Sequence, residues 1–421
     1  MRRYVIALMT LVVLGCAGEK VQKAAPDHAI LSAIILVPGY YGTRLVRVDD
    51  GKLIWISVAQ ALLGDVPLTL PIPGLGLDDA VPLQPDGILE KVPVVPLLYA
   101  VDGYGSMQAV LQQYGEGRAT IVPFAYDWRD DLMVNVRKLA TVIHDLRTAG
   151  TTDIRVVAHS MGGLVTAYYL RYGTQDPDQA VETWEGAAYV TGVALVGVPF
   201  KGTMIAFRNS QYGVTIGLNR TLLQSTAVAS FPATYYLLPD METDVLLTPR
   251  LEPMTSAIRN RSHWTTHRWG LLKPASLPDA VVARRETYTL EWLARSKRFS
   301  ALLLKPVTAH SPLSIPMLSI TGRGHQTLAT GIWDQRQRAD APALIFDEDG
   351  LADAVPQADP AILFKDGDGT VTTESAMLPL AYAHTFRVTH RQYDVGHAEL
   401  MTWPAIQKEI IAFLSTSRRT P

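Results

Sequence analysis

Residues 155–165 read RVVAHSMGGLV. An apolar, β-branched run, 154–158, meets a serine set among small residues, and helical spacing resumes at Leu164. A serine before two glycines can simply cap a helix. The same order of strand, tight turn and helix also builds the strained turn that lifts a nucleophilic serine above a parallel sheet. Small-x-Ser-x-Gly alone is weakly specific, so its surroundings have to decide.

Working outward, residues 29–37 form a nearly continuous apolar run ending at Pro38-Gly39, 190–196 another ending at Gly197, and 316–321 a third ending at Gly322. Such runs suit strands buried on both faces of a parallel sheet. Between them, 131–148 and 164–171 carry apolar residues at helical spacing. Strands alternating with helices predict an α/β fold with a mostly parallel, doubly wound sheet. Ligands of such sheets bind at the carboxyl ends of the strands, where PGYYG (38–42), AHSMGG (158–163), GVPFKG (197–202) and DGDGT (366–370) gather. Two stretches break the alternation, about 44–104 and about 201–312, and are expected to be insertions above the sheet. The competing expectation is a second packed domain remote from the site.

With 421 residues, 48% of them hydrophobic and 19% charged, the chain can bury a large core. A formal net charge of −2 argues against nucleic acid as a partner, because phosphate binding needs a concentrated basic surface. The first residues read as a leader: Met1-Arg2-Arg3 is basic, 4–14 is apolar, and the run stops at Val13-Leu14-Gly15-Cys16. That tetrapeptide resembles the lipobox of bacterial lipoproteins. Cys16 is the single cysteine, so no internal disulfide competes for it. The expected organisation is a lipoprotein signal peptide (1–15), a tether (16–28), one domain (29–415) and a short tail (416–421), lipid-anchored through Cys16 in the bacterial envelope, at the outer membrane. The alternative is an ordinary cleaved signal peptide.

A serine hydroxyl is barely ionised at neutral pH and needs a base, an orienting carboxylate and donors for the oxyanion. In the serine hydrolases built on such sheets these follow in the order Ser, Asp or Glu, His. After Ser160, Asp368 in Lys365-Asp-Gly-Asp-Gly-Thr-Val371 lies on a loop expected to leave a strand at 361–364, with Asp366 as the alternative acid. A calcium loop there fails on spacing, since the sixth position from Asp366 is Val371 rather than glycine. A further strand is expected at 385–388, then His397 behind Gly396. His159 adjoins the serine and should point away from it. His263 and His267 stand four apart but lack the adjacent Glu of a zinc protease, so no metal and no cofactor are implied. The expected oxyanion donors are the backbone N–H groups of Met161 and Tyr40.

These residues resemble the lecithin:cholesterol acyltransferase-like hydrolases, which include lysosomal phospholipase A2 and bacterial relatives. Residues 37–45 (VPGYYGTRL) are similar to the family's VPGxxGxxL, and 123–129 (PFAYDWR) to its PYDWR. Residues 158–162, 198–203, 230–239, 366–371 and 396–400 match further motifs in the family's order. The resemblance covers residues 30–415. It implies an α/β-hydrolase fold, Ser160 as nucleophile with Asp368 and His397, and Tyr40 and Met161 at the oxyanion hole. It further implies a membrane-binding insertion at 44–104 with Trp55 as a lipid-contact candidate, and a cap and lid within 201–312. Tyr126–Arg129 are implied to be a structural cluster near the site. Two departures stand out: Ala158 replaces the first glycine of the serine motif, and the disulfides of secreted animal members are missing.

The resulting expectation is a serine-dependent lipid acyl hydrolase or O-acyltransferase acting on phospholipid at a membrane surface, with no obligate protein partner. A carboxylesterase or triacylglycerol lipase with the same triad is the alternative. A non-catalytic envelope binding protein is a third reading, disfavoured by the complete Ser, Asp, His set.

Overall fold

A computed structural model describes residues 31–416 apart from 65, 78–79, 96–98, 241–244, 255–257, 308–314 and 337–343. The leader, the tether and Cys16 therefore lie outside the described residues.

Alternate residues of the apolar runs go to opposite faces of one sheet, as the two-residue period of a strand requires. Its strands are β1 (Ser32–Val37), β2 (Thr120–Pro123), β3 (Asp153–His159), β4 (Gly192–Val196), β5 (Pro316–Gly322) and β6 (Arg387–Tyr393). They lie in the order β6-β5-β4-β3-β1-β2, every neighbouring pair parallel. Helices α1 (Gly105–Gly115), α2 (Leu132–Thr148), α3 (Met161–Tyr172) and α6 (Pro404–Ser415) flank them, while α4 (Met204–Tyr212) and α5 (Asp279–Leu304) belong to the second insertion. On one face Ile35, Val37, Val156 and Leu195 pack with Leu139 of α2 and Leu164 of α3. On the other, Ile34, Leu36, Val157 and Val196 pack with Leu111 of α1 and Ile410 of α6. Helices on both faces of a parallel sheet are the doubly wound α/β architecture expected from the alternation, and they fit the α/β-hydrolase fold that the resemblance implies. No described helix is long and apolar enough to cross a membrane.

The sequence misplaced two strands near the site. Residues Pro360–Leu363 form a 3-10 turn, started by Pro360 and capped by the Asp359 carboxylate, and the strand is Phe364–Gly367, paired with His325–Leu328 outside the main sheet. Residues Leu380–Thr385 are helical, and β6 begins at Arg387. As an edge strand with mostly exposed polar side chains, β6 carries little of the apolar signal that marks the inner strands. The edge strand β2 was not anticipated at all. It ends in Pro123, which an edge tolerates because no ladder bond is required of its nitrogen.

Of the two insertions, the first holds a small antiparallel sheet (Leu53–Trp55, Thr43–Arg47, Leu83–Ile88). The second builds its own core, in which Phe207, Tyr235, Trp264, Trp269 and Leu293 pack with Ile332, Trp333, Phe346 and Leu363. The segment between β5 and Asp366 thus joins the second insertion, which extends beyond the boundary expected near 312.

Candidate active site

Ser160 occupies the turn between β3 and α3 with φ 52° and ψ −126°. That conformation is rare for a residue with a side chain and holds of order 1–3 kcal/mol of strain. The turn is fixed from both sides: Ser160 N–H donates to Val196 O (2.8 Å), and Gly163 N–H donates to Ser160 O (2.8 Å). Close approach explains the small residues around it. A Cβ on Gly162 would fall 2.4 Å from Pro38 O, and one on Gly163 would fall 2.1 Å from a Val198 methyl carbon. Ala158 in place of glycine is accommodated, fully buried in β3 beside Val37.

His397 Nε2 lies 2.9 Å from Ser160 Oγ, and its Nδ1 lies 2.7 Å from Asp368 Oδ2. A carboxylate only accepts, so the histidine proton sits on Nδ1 and the Nε2 lone pair faces the serine hydroxyl. Asp368 Oδ1 accepts from the N–H groups of Thr370 (2.9 Å) and Val371 (2.7 Å), which fixes the carboxylate, and His397 N–H donates to Asp368 O (2.8 Å). The two loops are tied at both backbone and side chain. Asp366, the alternative acid, is occupied elsewhere: it accepts from Gly324 N–H and Thr373 Oγ1, at the surface. These bonds hold its carboxyl below the usual carboxylate range, the Thr373 hydroxyl first among them.

The other expected donors sit on two segments. Met161 opens α3, where the first amides have no intrahelical acceptor and the helix dipole favours negative charge. Tyr40 follows Gly39, which lies so close to Ser160 that a Cβ there would be 2.7 Å from Ser160 Cβ. The loop 38–43 carrying Tyr40 is gripped by the Tyr-Asp-Trp-Arg segment. Tyr126 Oη donates to Pro38 O (2.7 Å), and Trp128 Nε1 donates to Thr43 O (3.0 Å). Arg129 pairs with Asp127 (2.8 Å) and donates to Leu68 O (2.8 Å), almost wholly buried.

Trp55 is not placed to touch lipid. It is 4% exposed, donates from Nε1 to Tyr41 O (2.8 Å), and packs on Tyr41 and Trp128. An indole whose N–H finds an internal acceptor is more stable inside than at a surface.

Ser160 and His397 open onto a cavity of about 240 Å³ whose walls are mostly apolar. Tyr40 and Tyr41 line one side, and Ile205, Ala206, Val228 and Leu237 of the second insertion line the other. The insertion therefore contributes to this site rather than forming a remote domain. His263 and His267 are half-buried against Trp269 at the edge of the second core, and no group of three metal-ligating side chains occurs among the described residues.

Sequence reasoning passed over Tyr104, and it gave His159 no role beyond pointing away. His159 is buried next to Ser160, with Nδ1 2.7 Å from Tyr104 Oη and Nε2 3.2 Å from His397 O. Burial, and then the neighbouring His397, press its pKa well below the ordinary histidine value. A tyrosine distant in sequence, with no motif of its own, leaves no signal in a single chain.

Residues 99–269 match the lecithin:cholesterol acyltransferase family. The match takes in Tyr126–Arg129 and the Ser160 turn and stops short of Asp368 and His397. No curated protein sequence matches the chain. Among solved structures, the crystal structure of the Tle4–Tli4 complex superposes with a TM-score of 0.53 at 13% identity, covering 91% of this chain and 98% of that one. The product of the lin2722 gene of Listeria innocua (TM-score 0.33, 14% identity, 92% and 95% covered) and the RedJ thioesterase of Streptomyces coelicolor (0.31, 12%, 93% and 91%) are more distant. At 13% identity the first of these shows the fold alone. The family match, on that fold, supports an acyl-ester hydrolase or acyltransferase acting on lipid.

Two outcomes test the geometry. Asp368→Asn should lower kcat on a soluble ester by about 10⁴-fold through the wrong histidine tautomer, whereas Asp366→Asn should leave it within a few-fold. For His159, the folded protein binds fewer protons than the unfolded chain below about pH 6.5. Its contribution to stability is full above that pH and is lost as pH falls toward the depressed folded pKa. Thermal unfolding followed by circular dichroism should show a midpoint that drops below pH 6.5, less steeply in His159→Gln.

Proposed function

We propose that this chain, similar over 99–269 to the lecithin:cholesterol acyltransferases, is a serine-dependent acyl hydrolase or O-acyltransferase that cleaves phospholipid acyl esters through an acyl-enzyme on Ser160. The observation that carries the reading is the Ser160–His397–Asp368 hydrogen-bond chain at the floor of an apolar cavity. His397 Nε2 takes the Ser160 proton as Oγ attacks the ester carbonyl, and Asp368 stabilises the imidazolium that forms. The carbonyl oxygen, now negative, is met by the amides of Tyr40 and Met161, each worth about 3 kcal/mol of barrier by analogy with other oxyanion donors. The tetrahedral intermediate collapses as His397 returns the proton to the departing lysolipid oxygen. Water or an alcohol, deprotonated by the same histidine, then attacks the acyl-enzyme and releases Ser160.

An apolar cavity suits an acyl chain, since burying each methylene contributes about 0.8 kcal/mol. Residues 44–104 and the second insertion are read as the membrane-facing and cap portions of the enzyme. A lipid anchor at Cys16 would hold the cavity against its substrate in the envelope, where a multi-acyl anchor is needed because one chain binds a membrane only weakly.

Mass spectrometry of lipids after incubation with phospholipid vesicles, with and without a long-chain alcohol, tests the reaction. Lysophospholipid with free fatty acid or fatty-acyl ester is the expected product, absent with Ser160→Ala. Turnover of short-chain esters or triacylglycerol with intact phospholipid would favour the esterase or lipase alternative. For the anchor, Cys16→Ser should move the protein from the membrane fraction to the soluble fraction, and its retention would count against lipidation.

A further inference from the structure

Beside the site, buried groups that the acyl-transfer steps leave unused form one continuous line. Gly39 N–H donates to Tyr104 Oη (2.7 Å), Tyr104 Oη lies 2.7 Å from His159 Nδ1, and His159 Nε2 lies 3.2 Å from His397 O. The chemistry at its two ends fixes every proton. An amide can only donate, so Tyr104 Oη accepts from Gly39. A backbone carbonyl can only accept, so His159 carries its proton on Nε2. Neutral imidazole then accepts at Nδ1, and the Tyr104 hydroxyl donates to it. Each donor has one acceptor, and the direction runs unbroken from the loop 38–43 to the histidine loop.

Both ends matter to the proposed reaction. The amide after Gly39 is that of Tyr40, the candidate oxyanion donor. The carbonyl belongs to His397 itself. Tyr104 is the N-cap residue of α1 and is 7% exposed, His159 is 5% exposed, and the His159 and His397 rings lie 4.8 Å apart between centroids. With both ring nitrogens engaged, His159 cannot serve as a second base for Ser160. We infer that Tyr104 and His159 are positioning residues: a neutral hydrogen-bonded strut that sets the distance between the Tyr40 amide and the His397 imidazole. The inference rests on the reading of Ser160, His397 and the Tyr40 amide as the reacting set.

Electrostatic stabilisation of an oxyanion requires donors held at about 2.7–3.1 Å from where the charge develops, and a displacement of about 1 Å can cost 10²-fold. Removing the Tyr104 hydroxyl leaves the Gly39 amide and the His159 Nδ1 buried and unpaired, which drives both loops to re-pack.

The test is steady-state kinetics of the full-length protein on a soluble short-chain ester, with the folded fraction at assay temperature measured by circular dichroism. Tyr104→Phe should lower kcat about 10- to 100-fold with KM changed by less than about twofold. His159→Gln, which keeps a donor toward His397 O, should retain more kcat than His159→Phe. Because the strut fails wherever it is cut, Tyr104→Phe/His159→Phe should be no slower than the slower single variant. Ser160→Ala separates the two levels of the reading: wild-type turnover in that variant would remove the triad itself. With Ser160→Ala inactive, an unchanged kcat in Tyr104→Phe, multiplicative effects in the double variant, or a loss matched by the unfolded fraction would overturn the strut. Should Tyr104→Phe fail to fold, the order of His159→Gln and His159→Phe decides.

Discussion

The left-handed backbone of Ser160 is the constraint around which the neighbouring sequence is arranged. Reversing direction between β3 and α3 at one residue puts Oγ out at the sheet's carboxyl edge, but only if two other chain segments come within van der Waals contact of the turn. Pro38 and Val37 press on Gly162, Val198 presses on Gly163, and Gly39 presses on Ser160 itself. The carbonyl of Val196 at the end of β4 receives the Ser160 amide. Three strand ends therefore cooperate to hold one strained residue, and the apolar core on both faces of the sheet supplies the stability that this strain spends.

Once that turn is fixed, the loop 38–43 has to be fixed as well, since it carries one of the two candidate oxyanion amides. Tyr126 and Trp128 hold its two ends by hydrogen bonds to Pro38 O and Thr43 O, and Tyr104 holds Gly39 between them. Trp55 braces the same loop through Tyr41 O. The first insertion is thereby connected to the site from the inside, through a buried indole. The second insertion meets the loop across the cavity, where Tyr40 Oη and Thr234 Oγ1 lie 3.0 Å apart. A substrate in the cavity would touch this loop, the second insertion, Ser160 and His397 at once.

Much of this was legible in the chain itself, and the reasons are physical. Strands β1, β3, β4 and β5 are buried on both faces, so each reads as a largely apolar run. The edge strands β2 and β6 need no such run and were missed or misplaced. The order Ser, Asp, His with glycine at each turn pointed to Ser160, Asp368 and His397, which the fold brings within hydrogen-bond distance. Composition could not choose between Asp366 and Asp368. That choice depends on which carboxylate turns inward, and the amides of Thr370 and Val371 turn Asp368. Trp55 was a lipid-contact candidate through the resemblance alone, which sets it in a membrane-binding insertion, whereas its partners, Tyr41 and Trp128, are set by tertiary packing that a single sequence does not display. The Tyr104–His159 line was invisible for the same reason: its members come from residues 39, 104, 159 and 397.

Every step of the proposed reaction depends on Ser160 being activated by His397. Labelling the purified protein with a fluorophosphonate and mapping the modified peptide by mass spectrometry tests this most directly. One labelled residue, Ser160, is expected in the wild-type protein, with loss of labelling in a folded His397→Ala variant. Label on a different serine, or undiminished labelling of Ser160 without His397, would contradict it.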